Sequence, residues 1–134
     1  MAALSGEETI RAVAAKQKKT LLAFSTGKDA VAAYLAIRDH FEEVVPYYLY
    51  LVPGLEFVDE QIDMYERQFG FKVTQLPHPS LHRWLNGMIW QPPQNCAVIE
   101  DAGLPEFDYT DIQAAMVGKF GLPKDTLVAD GVRA

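Results

Sequence analysis

Only one cysteine, Cys96, occurs in the 134 residues, so no intrachain disulfide can form; without a Cys-x-x-Cys pair there is no framework for structural zinc or an iron–sulfur cluster. Cys96 opens the apolar run Cys96-Ala97-Val98-Ile99, expected to be extended or buried, with the thiol serving as a small hydrophobe. No apolar run approaches the ~20 residues of a membrane span. The opening MAALSGEETI has neither the basic nor the apolar region of a secretory signal, and the expectation is a cytoplasmic protein. Basic charge is in deficit: 12 Lys and Arg stand against 18 Asp and Glu, a net charge of −6. That balance argues against a surface that tracks a nucleic-acid backbone. Lys16, Lys18, Lys19 and Lys28 crowd the first strand and its loop and leave room for a local basic spot. Internal repeats, heptads and low-complexity tracts are absent.

What is present is the composition of a globular chain, 49% hydrophobic and 22% charged, long enough for a core and read as a single domain over 1–134. Its organising stretch is Thr20 to Ile37. An apolar run, Leu21 to Phe24, ends in the polar loop Ser25-Thr26-Gly27-Lys28-Asp29, and an Ala-rich helix pattern follows at once. In a parallel sheet such a strand–loop–helix unit aims loop N–H groups and the positive end of a helix dipole at one point beyond the strand. A phosphate suits that point. Gly27 leaves space for a ligand oxygen, Ser25 and Thr26 offer hydroxyls, and Lys28 offers a mobile cation. Asp29 is placed to hold magnesium against phosphates, or to complement the helix dipole as an ordinary first-turn acid. An ordinary turn, with Ser25 or Thr26 capping the helix, is the competing reading of the loop. It is not a Walker A loop, since no second glycine stands four residues before the Gly-Lys pair.

The rest of the chain alternates helix and strand. Ser5 and Glu8 have capping-box spacing, with Ile10, Val13, Ala14 and Gln17 on one helix face. After the helix over 30–42, Val44 to Val52 predicts a second strand, with Pro46 at its start, where a missing N–H costs least. Val58, Ile62, Tyr65 and Phe69 make a helical stripe closed by Gly70, and 71–76 predicts a third strand. From 77 to 108 prolines break the pattern, and this segment reads as a substrate-side insertion with a short helix over Ser80 to Asn86. Thr110 and Gln113 have capping-box spacing ahead of a helix whose face is Ile112, Ala115, Met116 and Phe120, stopped by Gly121 and Pro123. Thr126 to Ala129 predicts a last strand, leading into Asp130-Gly131-Val132-Arg133. Such alternation predicts an α/β fold with a mostly parallel sheet.

The loop resembles the PP-loop of N-type ATP pyrophosphatases, usually Ser-Gly-Gly-x-Asp-Ser. It is closer to the PAPS reductase-like branch of the adenine nucleotide alpha hydrolase superfamily, in which Phe-Ser-x-Gly-Lys-Asp follows the first strand. The likeness covers most of residues 18–134, with Thr26 in place of the first glycine and Ala30 in place of a Ser or Thr. It implies a Rossmann-like three-layer α/β/α domain with strand order 3-2-1-4. A fifth strand of full-length relatives is not expected here, which suggests a chain shortened at its carboxyl end and an open sheet edge compatible with a homodimer.

The resemblance also implies an adenine nucleotide, ATP or PAPS, held by Phe24, Ser25, Thr26, Gly27, Lys28 and Asp29. Adenine would lie at the backbone near Leu51, and Gly131 and Arg133 would form a second nucleotide-side motif. Lys28 and Asp29, the latter with Mg2+, would serve cleavage of ATP between the α and β phosphates to adenylylate an acceptor that the sequence does not identify. A binding module that holds the nucleotide without turning it over is the alternative. Sulfonucleotide reduction is disfavoured, because no segment here resembles the Glu-Cys-Gly-Leu-His type that carries the family's cysteine. Glu56 and Asp59 are weaker metal candidates or solvated helix-start acids. His78 and His82 fit a metal or acid–base pair in spacing but lack a third ligand, and surface histidines in a Pro-broken loop are the competing reading. Trp84, Trp90 and Met88 suit an aromatic wall, lid packing, or a protein-interaction surface.

Overall fold

The computed structural model describes residues 5–131. Ten elements follow in order: α1 (Gly6–Ala14), β1 (Lys19–Ala23), α2 (Lys28–Ile37), β2 (Glu43–Tyr50), α3 (Glu56–Phe69), β3 (Thr74–Pro77), α4 (Pro79–Asn86), α5 (Pro93–Ala102), α6 (Tyr109–Phe120) and β4 (Val128–Ala129). Every strand pair is parallel, as the alternation predicts, and the order is β3-β2-β1-β4, the order that the resemblance implies. Among the described residues no helix is long and apolar enough to cross a membrane.

Burial on both faces of β1 explains the layering. Successive side chains of a strand point to opposite faces, and Leu21 and Leu22 are each 0% exposed. Leu21, with Val45 and Tyr47 of β2, packs against Ile112, Met116 and Val117 of α6. Leu22 and Phe24 pack on the other face against Ala30, Tyr34 and Ile37 of α2, joined by Tyr65 and Phe69 of α3 and Ile10 of α1. The sheet therefore grows from β1 to β3 with α2 and α3 on one face, and reaches β4 with α6 on the other. Phe24 is the hinge of the first face: its ring meets Tyr65 at 5.4 Å and Phe71 at 5.5 Å, both edge-on, the arrangement aromatic quadrupoles favour.

Local chemistry sets the helix ends. Ser5 and Glu8 form the expected capping box: the Glu8 carboxylate accepts the Ser5 N–H at 2.8 Å. That bond, chiefly, holds the carboxyl below its usual range. Gly70 and Gly121 close α3 and α6 in the left-handed region, at φ 73° and 63°, where a side chain is penalised.

Several expectations are corrected. Pro46 is not at the start of β2 but inside it, fully buried, and β2 is an internal strand. The Tyr47 carbonyl accepts from Phe24 N–H at 2.8 Å, and the Tyr50 carbonyl from His78 N–H at 2.9 Å. Backbone groups alternate between neighbours, so Pro46 faces the β3 side, where β3 begins only at Thr74, opposite Tyr47. No ladder bond is lost there. Residues 96–99 are neither extended nor buried; they lie in α5, opened by Pro92-Pro93 and closed by Gly103, with Val98 68% exposed and Cys96 half-buried. The capping box of α6 uses Asp108 and Asp111 rather than Thr110 and Gln113. Its buried face is Ile112, Met116 and Val117; Ala115 and Phe120 are exposed. The expected basic spot is dispersed, because Lys18 and Lys19 pair with Glu42 and Glu43 at the start of β1 while Lys28 lies past its end.

Replacing Phe24 by Ala removes the ring that joins β1 to α3. Chemical denaturation is expected to register a loss of about 3–5 kcal/mol; a loss below 1 kcal/mol would contradict this packing.

Candidate functional site

At the carboxyl edge of the sheet, where β1 leads into α2 on one face while its neighbour β4 is reached from α6 on the other, a cleft of about 730 Å³ opens. Such a switch point is where open α/β sheets bind ligands, and the volume lies within the usual range for small-molecule sites. Ala23 to Ser25 and Asp29–Ala30 form one side, Tyr47 to Leu49 the floor, and Val128 with Asp130–Gly131 the β4 side. His78 and Tyr109 close the wall under α6.

The loop residues divide by position. Ser25 and Asp29 line the cleft and are exposed. Gly27 is the N-cap of α2 and supplies no side-chain hydrogen bond, so neither Ser25 nor Thr26 caps the helix as an ordinary turn would require. The first turn therefore receives no hydrogen bond from an N-cap side chain, a condition that favours an anion at a helix start. Thr26 sits at φ 69°, a left-handed conformation that costs a β-branched residue roughly 1–2 kcal/mol. Its carbonyl accepts from Gln61 Nε2 at 3.4 Å, tying the strained residue to α3. Lys28 is the first residue of α2, exposed and outside the cleft lining. Phe24 lines the cleft while its ring is spent in the core.

Gly131 also belongs to the cleft, and its place is enforced. A Cβ built on it would lie 2.7 Å from the carbonyl carbon and oxygen of Asp29 and 3.0 Å from the Ala30 nitrogen. Only glycine lets the segment after β4 rest on the start of α2. β4 itself is two residues long and is held by side chains. Gln17 accepts the Leu127 N–H at 3.0 Å, Thr20 donates to the Leu127 carbonyl at 3.2 Å, and Gln113 donates to the Thr126 carbonyl at 2.7 Å. Arg133 lies outside the described residues. Leu51 is exposed beyond the end of β2 and does not line the cleft; β2 contributes Tyr47 to Leu49 instead.

His78 and Tyr109 were not assembled from sequence. His78 caps α4, its Nδ1 accepting the Ser80 N–H at 3.0 Å. The ring proton of neutral His78 is therefore on Nε2, which lies 3.0 Å from the Tyr109 hydroxyl and donates to it. Burial, and secondarily the Arg83 charge, push the imidazole below its ordinary value. His82 is not its partner: its Nδ1 lies 2.6 Å from the Pro105 carbonyl. On the floor, burial first and the Asp130 charge second raise the Tyr47 phenol above its ordinary value, keeping it protonated. Glu56 and Asp59 are exposed first-turn residues of α3. No cluster of three or more His, Cys, Asp or Glu suited to a metal occurs among the described residues. Trp84 and Trp90 stay outside the cleft, Trp90 being 91% exposed.

No family model matches the chain, and no curated protein matches it.

Two outcomes follow from this geometry. Gly131→Ala is expected to cost about 1–3 kcal/mol of stability by overpacking, read by thermal unfolding; an unchanged midpoint would contradict the contact. His78 is held below the ordinary 6.5 of a histidine, so the unfolded chain binds more protons as pH falls through that value. Its contribution is therefore present above pH 6.5 and lost as pH drops through the lower folded value. His78→Asn, which preserves the cap, should flatten the fall in stability below pH 6.5.

Proposed function

We propose that this chain is a PP-loop nucleotide-binding domain that holds an adenine nucleotide, ATP or PAPS, with its phosphates on the start of α2 and its nucleoside in the cleft. The observation that carries the reading is the uncapped first turn of α2 opening beside a cleft at the sheet's switch point. The Phe24-Ser25-Thr26-Gly27-Lys28-Asp29 loop supports it, as does the demand for glycine at position 131.

The chemistry proposed is attack by an acceptor oxygen on the α-phosphorus of ATP, forming the acceptor–phosphorus bond and releasing pyrophosphate. Loop amides and Ser25 position the phosphates, and Lys28, on a long flexible stem, reaches them from the helix start. Asp29 and Asp130 are the carboxylates lining the cleft. One or two carboxylates plus phosphate oxygens are what magnesium takes, so a larger ligand cluster is not required. Magnesium, when bound there, would neutralise phosphate charge, and Asp29 would hold it. Arg133 is assigned to the same phosphates by its place after Gly131, and the working location is the cytoplasm.

A second reading, nucleotide binding without turnover, is favoured by Ala30, which is 1% exposed and lacks the hydroxyl of the PP-loop pattern. Pyrophosphate release in the presence of candidate acceptors separates the two.

Calorimetric titration with ATP and magnesium is expected to give saturable binding, weakened by roughly 1–3 kcal/mol in Lys28→Ala. Binding that is indifferent to Lys28 would remove it from the phosphate site; absence of binding would overturn the proposal.

A further inference from the structure

The wall facing the β1–α2 loop carries a pair of side chains that the phosphate site does not use. His78 follows β3, Tyr109 opens α6, and the two meet from positions 31 residues apart, with rings at 90° and centroids 5.5 Å apart. Both line the cleft. α2 and α6 lie on opposite faces of the sheet, so this pair and the proposed phosphate site stand on opposite sides of the same opening.

We propose that Tyr109 is a hydrogen-bond donor that anchors the nucleoside end of the ligand, with His78 as the positioning residue that sets its polarity. The argument rests on the nucleotide reading above and on the direction of two hydrogen bonds. His78 Nδ1 is committed to the Ser80 N–H, so Nε2–H donates to the Tyr109 oxygen. A phenol that accepts there keeps its own proton for another partner. Because Tyr109 is 62% exposed and at the cleft wall, that proton is available to a ligand. The group it recognises carries a lone pair: a purine ring nitrogen or a ribose oxygen, not an ammonium or amide N–H. Tyr47 to Leu49 give the nucleoside a largely apolar floor between this donor and the loop. The site then has two anchors of different chemistry: helix-start amides for the phosphates and one oriented hydroxyl for the remainder.

The test compares two probes, ATP with magnesium and inorganic tripolyphosphate with magnesium, titrated into the intact chain. Tyr109→Phe is expected to weaken ATP binding roughly tenfold, the upper range for one neutral hydrogen bond, and to leave tripolyphosphate binding unchanged. His78→Asn retains the cap on Ser80 through a preferred N-cap residue but is too short to reach Tyr109. It should weaken ATP binding less and add nothing in the double variant, because both substitutions act on one bond. A general structural role for either residue would instead weaken both probes and give additive losses. ATP affinity unchanged in Tyr109→Phe would overturn the inference and leave the phosphate site standing. Failure of the unaltered chain to bind either probe would overturn both.

Discussion

The contact between Gly131 and the backbone of Asp29 and Ala30 is the constraint on which the site depends. It brings the segment after β4 against the start of α2, so that two chain segments from adjacent parallel strands share one edge of the cleft. A side chain at 131 would meet the Asp29 carbonyl at 2.7 Å and force the two segments apart. The contact also explains why so short a strand as β4 is secured by Gln17, Thr20 and Gln113 rather than by a long ladder. These side-chain bonds do for β4 what burial of Leu21 and Leu22 does for β1.

Strain and rigidity are divided across the loop. Phe24 is locked in an aromatic cluster immediately before the loop, and Ala30 is buried immediately after it. Between them Thr26 adopts a backbone conformation that glycine takes at lower cost. A strained residue between two fixed ends keeps the Gly27 cap in place without a side-chain hydrogen bond. An uncapped helix start facing open space is a standing electrostatic demand, which the proposed nucleotide would meet with its phosphates. The acidic side chain of Asp29, exposed at the same opening, makes a bare anion a poorer occupant than one that arrives with a cation.

Most of the scaffold was legible because its signals are local. The apolar run of β1, buried on both faces, the Val58–Ile62–Tyr65–Phe69 stripe and the Ser5/Glu8 capping box each lie within a few residues, and each has the predicted form. Where local signals misled, a longer-range fact decided. Pro46 sits inside β2 because β3 begins too late to ask it for an N–H. The run 96–99 was read by its apolar character, although Pro92-Pro93 before it and Gly103 after it are helix boundaries. Gln113 belongs to Thr126 rather than to a capping box, since Asp108 and Asp111 already satisfy the helix start. The loop half of the candidate site was readable as one contiguous stretch; the His78–Tyr109 half was not, because only the fold joins the end of β3 to the start of α6.

The central claim is that phosphate charge is met by the start of α2. Amide chemical-shift mapping of the isotopically labelled chain during titration with ATP and magnesium tests it most directly. The largest displacements are expected at residues 25–30 and at Gly131, with smaller ones at Tyr47 to Leu49. Displacements confined to α4 and α5, around the exposed Trp84 and Trp90, with the loop amides unmoved, would contradict it.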